Sequence, residues 1–325
     1  MANDSSAIDW MLDSDPALRW QVERDLAGAP ASQWEATRAR VATEGFGAEL
    51  LAHQDPDGQW AGGSYFPAGW DWEGPEAQKG MGQPWVATTW SLNSLRDWGL
   101  DASVLTGTAE KLAANSRWDY NNGPYWEGEV DCCINGYTIA NGAWLGVDVS
   151  KLANWFLDRQ LEDGGWNCRW EEGSTRSSFD STLNSLRGLL AWEIRTGGTP
   201  ELTAARHVAE EYLLERRLLY RLSTGERHDP WVTEFAFPFR WFYSALNALD
   251  YFRDACEHDG TAPDTRLAEA IEVVRGARQP DGTWLQERRH PGRAWFEVDV
   301  PVGESSKWLT FYATRVLDWW NSASS

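Results

Sequence analysis

Tryptophan is the residue type in this chain that most strongly suggests a chemical role. The 325 residues include 23 Trp, 11 Phe and 9 Tyr, although Trp is usually the rarest of the three aromatic residues. The large, electron-rich face of an indole ring packs against apolar groups, stacks on sugars and attracts cations. The composition therefore predicts an aromatic site for an apolar substrate, a sugar or a positively charged intermediate.

Carboxylates in the loops are the second group of candidates. A glycosidase needs two carboxyl groups on opposite sides of one bond, about 5 Å or about 6.5–9.5 Å apart. Neighbouring loop acids are usually solvated, so we expect these pairs to lie at the surface: Asp71 with Glu73, Glu127 with Glu129, and Glu171 with Glu172. No Gly-x-Ser-x-Gly, His-Glu-x-x-His or phosphate-binding Gly-rich motif accompanies them.

The charge balance narrows the range of partners. Asp and Glu number 49 against 29 Lys and Arg, which gives a formal net charge of -20. A field of this sign repels phosphate backbones, so we expect no nucleic-acid partner. The start of the sequence does not resemble a signal peptide, and no apolar run reaches about 18 residues. The four Cys are too few to predict a disulfide scaffold. These features predict a cytoplasmic protein without stable membrane insertion.

Two internal repeats predict the elements that position these groups. Residues 54–60 and 160–166 both read Gln-x3-Gly-x-Trp, and residues 279–284 repeat this motif with one residue fewer. A second pattern, Leu-Asn-x-Leu, recurs in the helical segments at 92–95, 183–186 and 246–249. Each Gln-x3-Gly-x-Trp motif follows an amphipathic segment and precedes a loop and another helix. This order is typical of helical-hairpin repeats.

The repeats predict a single all-α domain over residues 1–325, with an N-terminal helical hairpin in 1–45 and five hairpin repeats in 46–325. Five equivalent helices are expected to begin near Pro84, Cys132, Phe179, Phe239 and Ser306. They alternate with five other helices, expected at 46–53, 104–115, 149–160, 200–219 and 264–277. Asp15 and Pro16 predict the N-cap and first residue of a helix in the N-terminal hairpin.

The Gln-x3-Gly-x-Trp motif resembles the QW motif of squalene and oxidosqualene cyclases and of the β subunits of protein prenyltransferases. At the level of the repeats, the resemblance covers nearly the whole chain. It implies an (α/α)5–6 toroid, in which inner helices form a barrel around a central cavity and outer helices surround them. It also implies a small terpenoid-cyclase-like enzyme that acts on an apolar, isoprenoid substrate in this cavity. The motif residues Trp60, Trp166 and Trp284 are expected to be structural.

Counting back by four and eight from the repeated Asn marks one face of each equivalent helix. These faces are polar and aromatic, whereas the flanking positions carry Leu. Their residues are Trp85, Thr89 and Asn93; Cys133, Tyr137 and Asn141; Asp180 and Asn184; Phe239, Tyr243 and Asn247; and Ser306, Thr310 and Thr314. We expect the Asn side chains to brace neighbouring helices, and the residues four positions earlier to face the cavity.

Asp180 is the one carboxylate on these faces. Its surroundings, Phe-Asp-Ser-Thr, resemble the end of the Asp-x-Asp-Asp-Thr-Ala motif of class II terpene cyclases, in which an acid protonates an alkene or epoxide. The resemblance implies that Asp180 is a general acid, with Tyr137 and Tyr243 as hydrogen-bonding neighbours. A helix N-terminus favours the charged carboxylate. The alternative is therefore that Asp180 caps its helix or forms an ion pair with Arg176 or Arg240.

Aromatic faces around such a cavity would stabilise a carbocation by about 2 kcal/mol or more for a desolvated contact. We expect the substrate to be bound by Trp85, Thr89, Cys133, Trp241, Trp308 and Phe311. Arg240 and Lys307 lie near predicted helix N-termini, where they would hold a diphosphate if the substrate carries one.

Two alternatives remain open. A zinc-dependent prenyltransferase-like protein would hold its metal with Asp-x-Cys at the start of an inner helix and a later His. Asp131 and Cys133 reproduce Asp-x-Cys, but the matching helix has no His. Because a catalytic zinc needs three protein ligands, we expect no cofactor, with Zn or Mg as the alternative. A carbohydrate-active or carbohydrate-binding barrel would instead use accessible Trp70, Trp72 and Trp126.

Overall fold

The computed structural model describes residues 2–78, 83–228 and 230–323, and these residues are predominantly helical. The α-helices are α1 (Ala2–Leu12), α2 (Pro16–Asp25), α3 (Ala31–Ala39), α4 (Gly45–Ala52), α5 (Pro75–Gln78), α6 (Thr88–Asp97), α7 (Thr108–Asn115), α8 (Cys132–Leu145), α9 (Ser150–Arg159), α10 (Phe179–Thr196), α11 (Pro200–Glu215), α12 (Ala245–Asp259), α13 (Ala268–Gly276) and α14 (Lys307–Ala323). Short 3-10 helices cover Arg40–Ala42, Ala102–Leu105, Tyr125–Glu127, Cys168–Trp170, Pro230–Val232 and Thr265–Leu267. Strands β1 (Trp284–Leu285) and β2 (Ser305–Ser306) form a small antiparallel pair. The expectation of an all-α protein is confirmed.

The chain forms two compact units. The first unit comprises Met1–Arg38, Glu210–Arg289 and Val298–Ser325, and the second comprises Ala39–Ala209 and His290–Glu297. In the first unit, α14 packs against α1, α2, α12 and α13. In the second unit, α8 packs against α6, α9 and α10.

Most helices begin where the repeats predict them. Asp15 is the N-cap of α2, and its side chain accepts a hydrogen bond from the Ala17 N–H at 2.9 Å. The fourth equivalent helix departs most from the prediction, because α12 begins at Ala245 rather than near Phe239. Arg240 has a positive φ of 55°, which is incompatible with a continuous right-handed helix, and the Ser244 side chain caps α12 instead.

The late start of α12 corrects part of the predicted pattern. Phe239, Trp241 and Tyr243 precede the helix, so they do not form a helical face with Asn247. Trp85 likewise precedes α6, which begins at Thr88. The spacing of four marks a common face only where the backbone is helical.

Each Gln-x3-Gly-x-Trp motif ties the helix before it to the helix that follows it. In the first motif, the Trp60 indole donates to the Leu50 carbonyl in α4, and the Trp60 backbone N–H donates to the Thr88 hydroxyl in α6. The other two motifs repeat both bonds, from Trp166 to Phe156 and Thr182, and from Trp284 to Val274 and Thr310. All three Trp side chains are buried. Their predicted structural role is confirmed, whereas Thr310, expected to face a cavity, is fully buried in this bond.

Helix α8 makes close contacts with α6 and α10. The Asn141 amide in α8 donates to the Asn93 side-chain oxygen in α6 at 2.9 Å, which confirms the bracing role for this pair. Helices α8 and α10 meet at Gly136 and Gly188. A Cβ atom on Gly188 would lie 2.4 Å from the Gly136 carbonyl oxygen, so only glycine allows this approach.

Candidate functional site

Three sulfur atoms and a carboxylate converge in the second unit. Asp131 immediately precedes α8, whose first two residues are Cys132 and Cys133. Cys168 belongs to the next repeat and begins a 3-10 helix two residues after Trp166. Because the Trp166 N–H is bonded to Thr182, the chain after it runs beside the start of α10, where the Cys168 N–H donates to the Ser181 hydroxyl at 3.1 Å.

The donor atoms of this cluster are of the types that bind a metal ion. The Cys133 and Cys168 sulfurs lie 3.0 Å apart, and the Cys132 and Cys168 sulfurs lie 3.5 Å apart. One carboxylate oxygen of Asp131 and the sulfurs of Cys133 and Cys168 all lie within 4.8 Å of one another. All three residues are half-buried, and the cysteines are free thiols. Two thiolates with one carboxylate form a ligand set that zinc accepts, and three protein ligands leave a position open.

The acidic groups of this cluster are close enough to shift one another's pKa values. Burial, together with the neighbouring Cys168 and Glu129, raises the pKa of Asp131 from 3.8 to about 8. Burial also raises the pKa of Glu129. The Cys132 and Cys133 thiols donate to Cys168, which holds the pKa of the Cys168 thiol well below its ordinary value. A divalent cation among these groups would remove the repulsion and keep the ligands deprotonated.

An aromatic wall adjoins the cluster. Tyr137 lies one helical turn after Cys133 in α8, so the two side chains share a face. Its ring contacts Trp90 at 5.4 Å, and Trp90 in turn contacts Tyr65 at 4.8 Å and Trp85 at 4.7 Å. The four aromatic residues are buried. Charges on Cys133, after burial itself, raise the pKa of both tyrosines, which places this aromatic wall within electrostatic reach of the sulfur cluster.

Asp180 immediately precedes a residue that contacts the same cluster. It is in the first turn of α10, where the Ser178 side chain, not Asp180, is the N-cap. The capping alternative for Asp180 is therefore wrong. Asp180 is half-buried, and the next residue, Ser181, donates its hydroxyl to the Cys168 sulfur at 3.4 Å. The role of Asp180 as a general acid stays a prediction.

Two other predicted site residues in the second unit have defined polar contacts. The Tyr137 hydroxyl donates to the Asn184 side-chain oxygen at 2.8 Å. The Thr89 and Tyr125 hydroxyls are 2.9 Å apart, and both residues are fully buried. Thr89 therefore bonds to a side chain of its own unit.

The remaining predicted site residues belong to the first unit. The Tyr243 hydroxyl donates to the Leu218 carbonyl, and its side chain is fully buried. Trp308 stacks on Phe237 at 4.5 Å, Phe311 lies under the Arg315 guanidinium, and Trp241 stacks on Phe242 at 3.8 Å. The Lys307 ammonium donates to the Asp13 carbonyl and lies 5.4 Å from the Trp10 ring. Arg240 is half-buried in the loop before α12.

The predicted loop acids and loop Trp residues differ in how exposed they are. Trp72 is 61% exposed, whereas Trp70 and Trp126 are half-buried. Five of the six loop acids are exposed as expected, namely Asp71, Glu73, Glu127, Glu171 and Glu172. Glu129 differs, because it is half-buried and accepts the Asp131 N–H at 2.8 Å.

Sequence reasoning missed Cys168. The prenyltransferase-like motif supplied Asp131 and Cys133 but directed the search for a third ligand to a His on a later helix. A usable signal was present, since three of the four Cys fall in two consecutive repeats and Cys168 directly follows a Gln-x3-Gly-x-Trp motif.

Comparison of the chain with protein-family models, with curated proteins and with solved structures gives no match. In the described part of the chain, each helix is too short or too polar to cross a bilayer.

Proposed function

We propose that this chain is a zinc-dependent enzyme that acts on an apolar substrate. Asp131, Cys133 and Cys168 would hold the metal, and the aromatic wall of Tyr65, Trp85, Trp90 and Tyr137 would bind the substrate. The observation that carries the proposal is the convergence of one carboxylate oxygen and two sulfurs within 4.8 Å of one another. Ligands from two consecutive repeats meet there without forming a disulfide.

The roles of the protein groups follow from their contacts. Bound zinc supplies a Lewis acid and an open coordination position. Cys133 and Cys168 would act as thiolates, and Asp131 as the carboxylate ligand. The Ser181 hydroxyl donates to the Cys168 sulfur, so it would fix the direction of the sulfur lone pairs as an outer partner of a ligand does. Cys132 is buried, with its sulfur 3.5 Å from that of Cys168, and it is not one of the three proposed ligands.

The substrate class follows from the aromatic wall. Buried indole and phenol rings supply apolar surface and negative ring faces. An isoprenoid chain fits this description, because it is apolar and its reactions pass through cationic carbon centres. We extend the proposal to the architecture: the hairpins would close into an (α/α)5–6 toroid. The pairing of α6 with α8 and of α8 with α10, inner helix against inner helix, supports this.

Proton-initiated cyclisation or isomerisation is the second candidate, because Asp180 adjoins Ser181 and therefore the sulfur cluster. In this reaction, Asp180 would donate a proton to the substrate and the aromatic wall would stabilise the resulting cation. The two candidates differ in their dependence on metal. Asp180→Asn abolishes a proton-initiated reaction and leaves metal content unchanged, whereas Cys168→Ser lowers metal content.

Metal analysis of untagged protein tests the first candidate. We expect about one zinc per chain after growth with zinc, and loss of that zinc in Cys133→Ser and in Cys168→Ser. Cys256→Ser is the matched control, because Cys256 is also a half-buried free thiol but lies in α12 of the first unit. Cobalt substitution should give thiolate-to-metal charge-transfer bands that Cys168→Ser weakens. Stoichiometric zinc that persists in both variants, or protein that binds no zinc or cobalt, would contradict the proposal.

A further inference from the structure

A second site lies in the long loop that precedes α6. A cleft of about 340 Å³ in the second unit has a lining that includes Gln59, Phe66, Trp70, Trp72, Arg117 and Asp119. It shares no residue with the proposed metal site. Its volume is at the lower end of the range of about 300–1,000 Å³ for small-molecule sites.

Three aromatic rings form one side of this cleft. Phe66 contacts Trp72 at 4.4 Å and Trp70 at 5.6 Å between ring centroids, and Trp70 and Trp72 meet edge to face. Trp72 keeps 61% of its surface exposed. Exposing so much of a large aromatic side chain to water is unfavourable in free energy. It therefore offers a flat face that a ligand can cover.

Polar groups with unused hydrogen-bonding capacity also line the cleft. Gln59 is 6% exposed and its amide nitrogen donates to Asp57, so its oxygen retains an acceptor role. The bonds that Asp119 accepts from the Tyr65 and Phe66 N–H groups both end on Oδ2. Arg117 is held through Nη1 by the Ala113 and Ser116 carbonyls, which leaves the donors on Nε and Nη2. These are groups that hydroxyls satisfy.

The loop that carries the rings is fixed before any ligand binds. The Ala68 N–H donates to the Ala61 carbonyl at 2.8 Å, and the Trp70 N–H donates to the Pro67 carbonyl at 3.1 Å. Gly63 allows the tight turn, since a Cβ atom there would lie 1.9 Å from the Phe66 carbonyl oxygen. A fixed loop loses little conformational entropy on binding, which favours affinity for a small ligand.

We infer that this cleft binds a neutral, glucose-type pyranose unit of an oligosaccharide, stacked on Trp72 and hydrogen-bonded by Arg117 and Asp119. A pyranose with equatorial hydroxyls has a flat face of C–H groups, which carry partial positive charge and match the negative face of an indole ring. Its hydroxyls both donate and accept, so they match a carboxylate beside a guanidinium. An anionic sugar fits poorly, because Asp119 and the net charge of -20 oppose it.

Titration of the full chain with defined sugars tests the inference. The probes are cellohexaose, maltohexaose, laminarihexaose and chitohexaose, with oligogalacturonate as the anionic comparator, followed by tryptophan fluorescence and calorimetry. We expect saturable binding of a neutral probe, little dependence on salt, and at least a tenfold higher Kd in Trp72→Ala. Tyr120→Ala is the control, because Tyr120 is 67% exposed but does not line the cleft.

The outcomes separate this cleft from the metal site. Sugar binding should be unchanged in Cys168→Ser, because the two sites share no residue. Asp119→Asn should weaken binding while retaining an oxygen acceptor for the loop N–H groups. Absence of binding to all neutral probes at millimolar concentration, preference for oligogalacturonate, or equal Kd values for Trp72→Ala and the unsubstituted protein would overturn the inference.

Discussion

Replacing Asp299 with Asn should stabilise the first unit at neutral pH. The carboxylate accepts the Ser306 hydroxyl at 2.6 Å, just before α14 begins. Burial nevertheless raises its pKa from 3.8 to about 6, against the lowering effect of Ser306. The folded protein therefore binds a proton at this site more tightly than the unfolded chain. Stability is gained as pH falls from 6 towards 3.8 and is lost as pH rises through this window.

The magnitude follows from the two pKa values. One pKa unit corresponds to about 1.4 kcal/mol, so ionised Asp299 lowers the free energy of unfolding by up to about 3 kcal/mol at neutral pH. Asn keeps the acceptor for Ser306 without the charge. We therefore expect Asp299→Asn to be more stable than the unsubstituted protein at about pH 7 and nearly equal to it at about pH 4.

Urea denaturation at both pH values measures this difference. The free energy of unfolding is extrapolated linearly to zero urea for each protein. Asp281→Asn is the control of opposite sign, because the Thr283 hydroxyl and N–H bond to this exposed carboxylate and lower its pKa. Its effect should be a loss of stability at neutral pH that fades in acid. The reasoning about Asp299 is refuted if its Asn variant gains no stability between acid and neutral pH relative to the unsubstituted protein.

Three further predictions concern the packing of the helices. Asp250→Asn should lower the free energy of unfolding by about 1.5–3 kcal/mol in urea denaturation, because Arg315, 8% exposed, would lose the carboxylate 2.6 Å away and keep only its more distant partner Asp25 at 3.2 Å. Gly188→Ala should cost roughly 1–3 kcal/mol in the same assay, since its Cβ would press on the Gly136 carbonyl. Thr182→Val should cost about 1–3 kcal/mol by leaving the Trp166 N–H unpaired, and Thr182→Ser should restore most of this. Equal stability of the Val and Ser variants would contradict the proposed bond.

The helical repeat was predictable because it rests on local chemistry. Amphipathic spacing, the Asp15 cap and the Gln-x3-Gly-x-Trp motif act within a few residues of one another, and the helices appear close to their predicted bounds. The start of α12 was not predictable from the Asn repeat, because the positive φ of Arg240 interrupts a sequence that would otherwise continue the helix.

The candidate site was predictable only in part, because its contacts join distant residues. Asp131 and Cys133 are two residues apart and form a recognisable pair. Cys168 lies 35 residues after Cys133, and its approach depends on how the second Trp motif packs on α10. The sequence suggested Trp70, Trp72 and Trp126 as accessible loop residues, but a loop position alone does not distinguish the exposed Trp72 from the half-buried Trp70 and Trp126.

The Trp-to-Thr bonds allow the length of the chain between the bonded residues to vary. The bonded residues are 28, 16 and 26 positions apart in the three motifs, yet the partners and the bond are the same. The chain between them can thus grow or shrink without disturbing the helices. Cys168 and the loop that carries Phe66, Trp70 and Trp72 both lie in these segments of variable length. New binding chemistry could arise there by insertion while the scaffold is preserved.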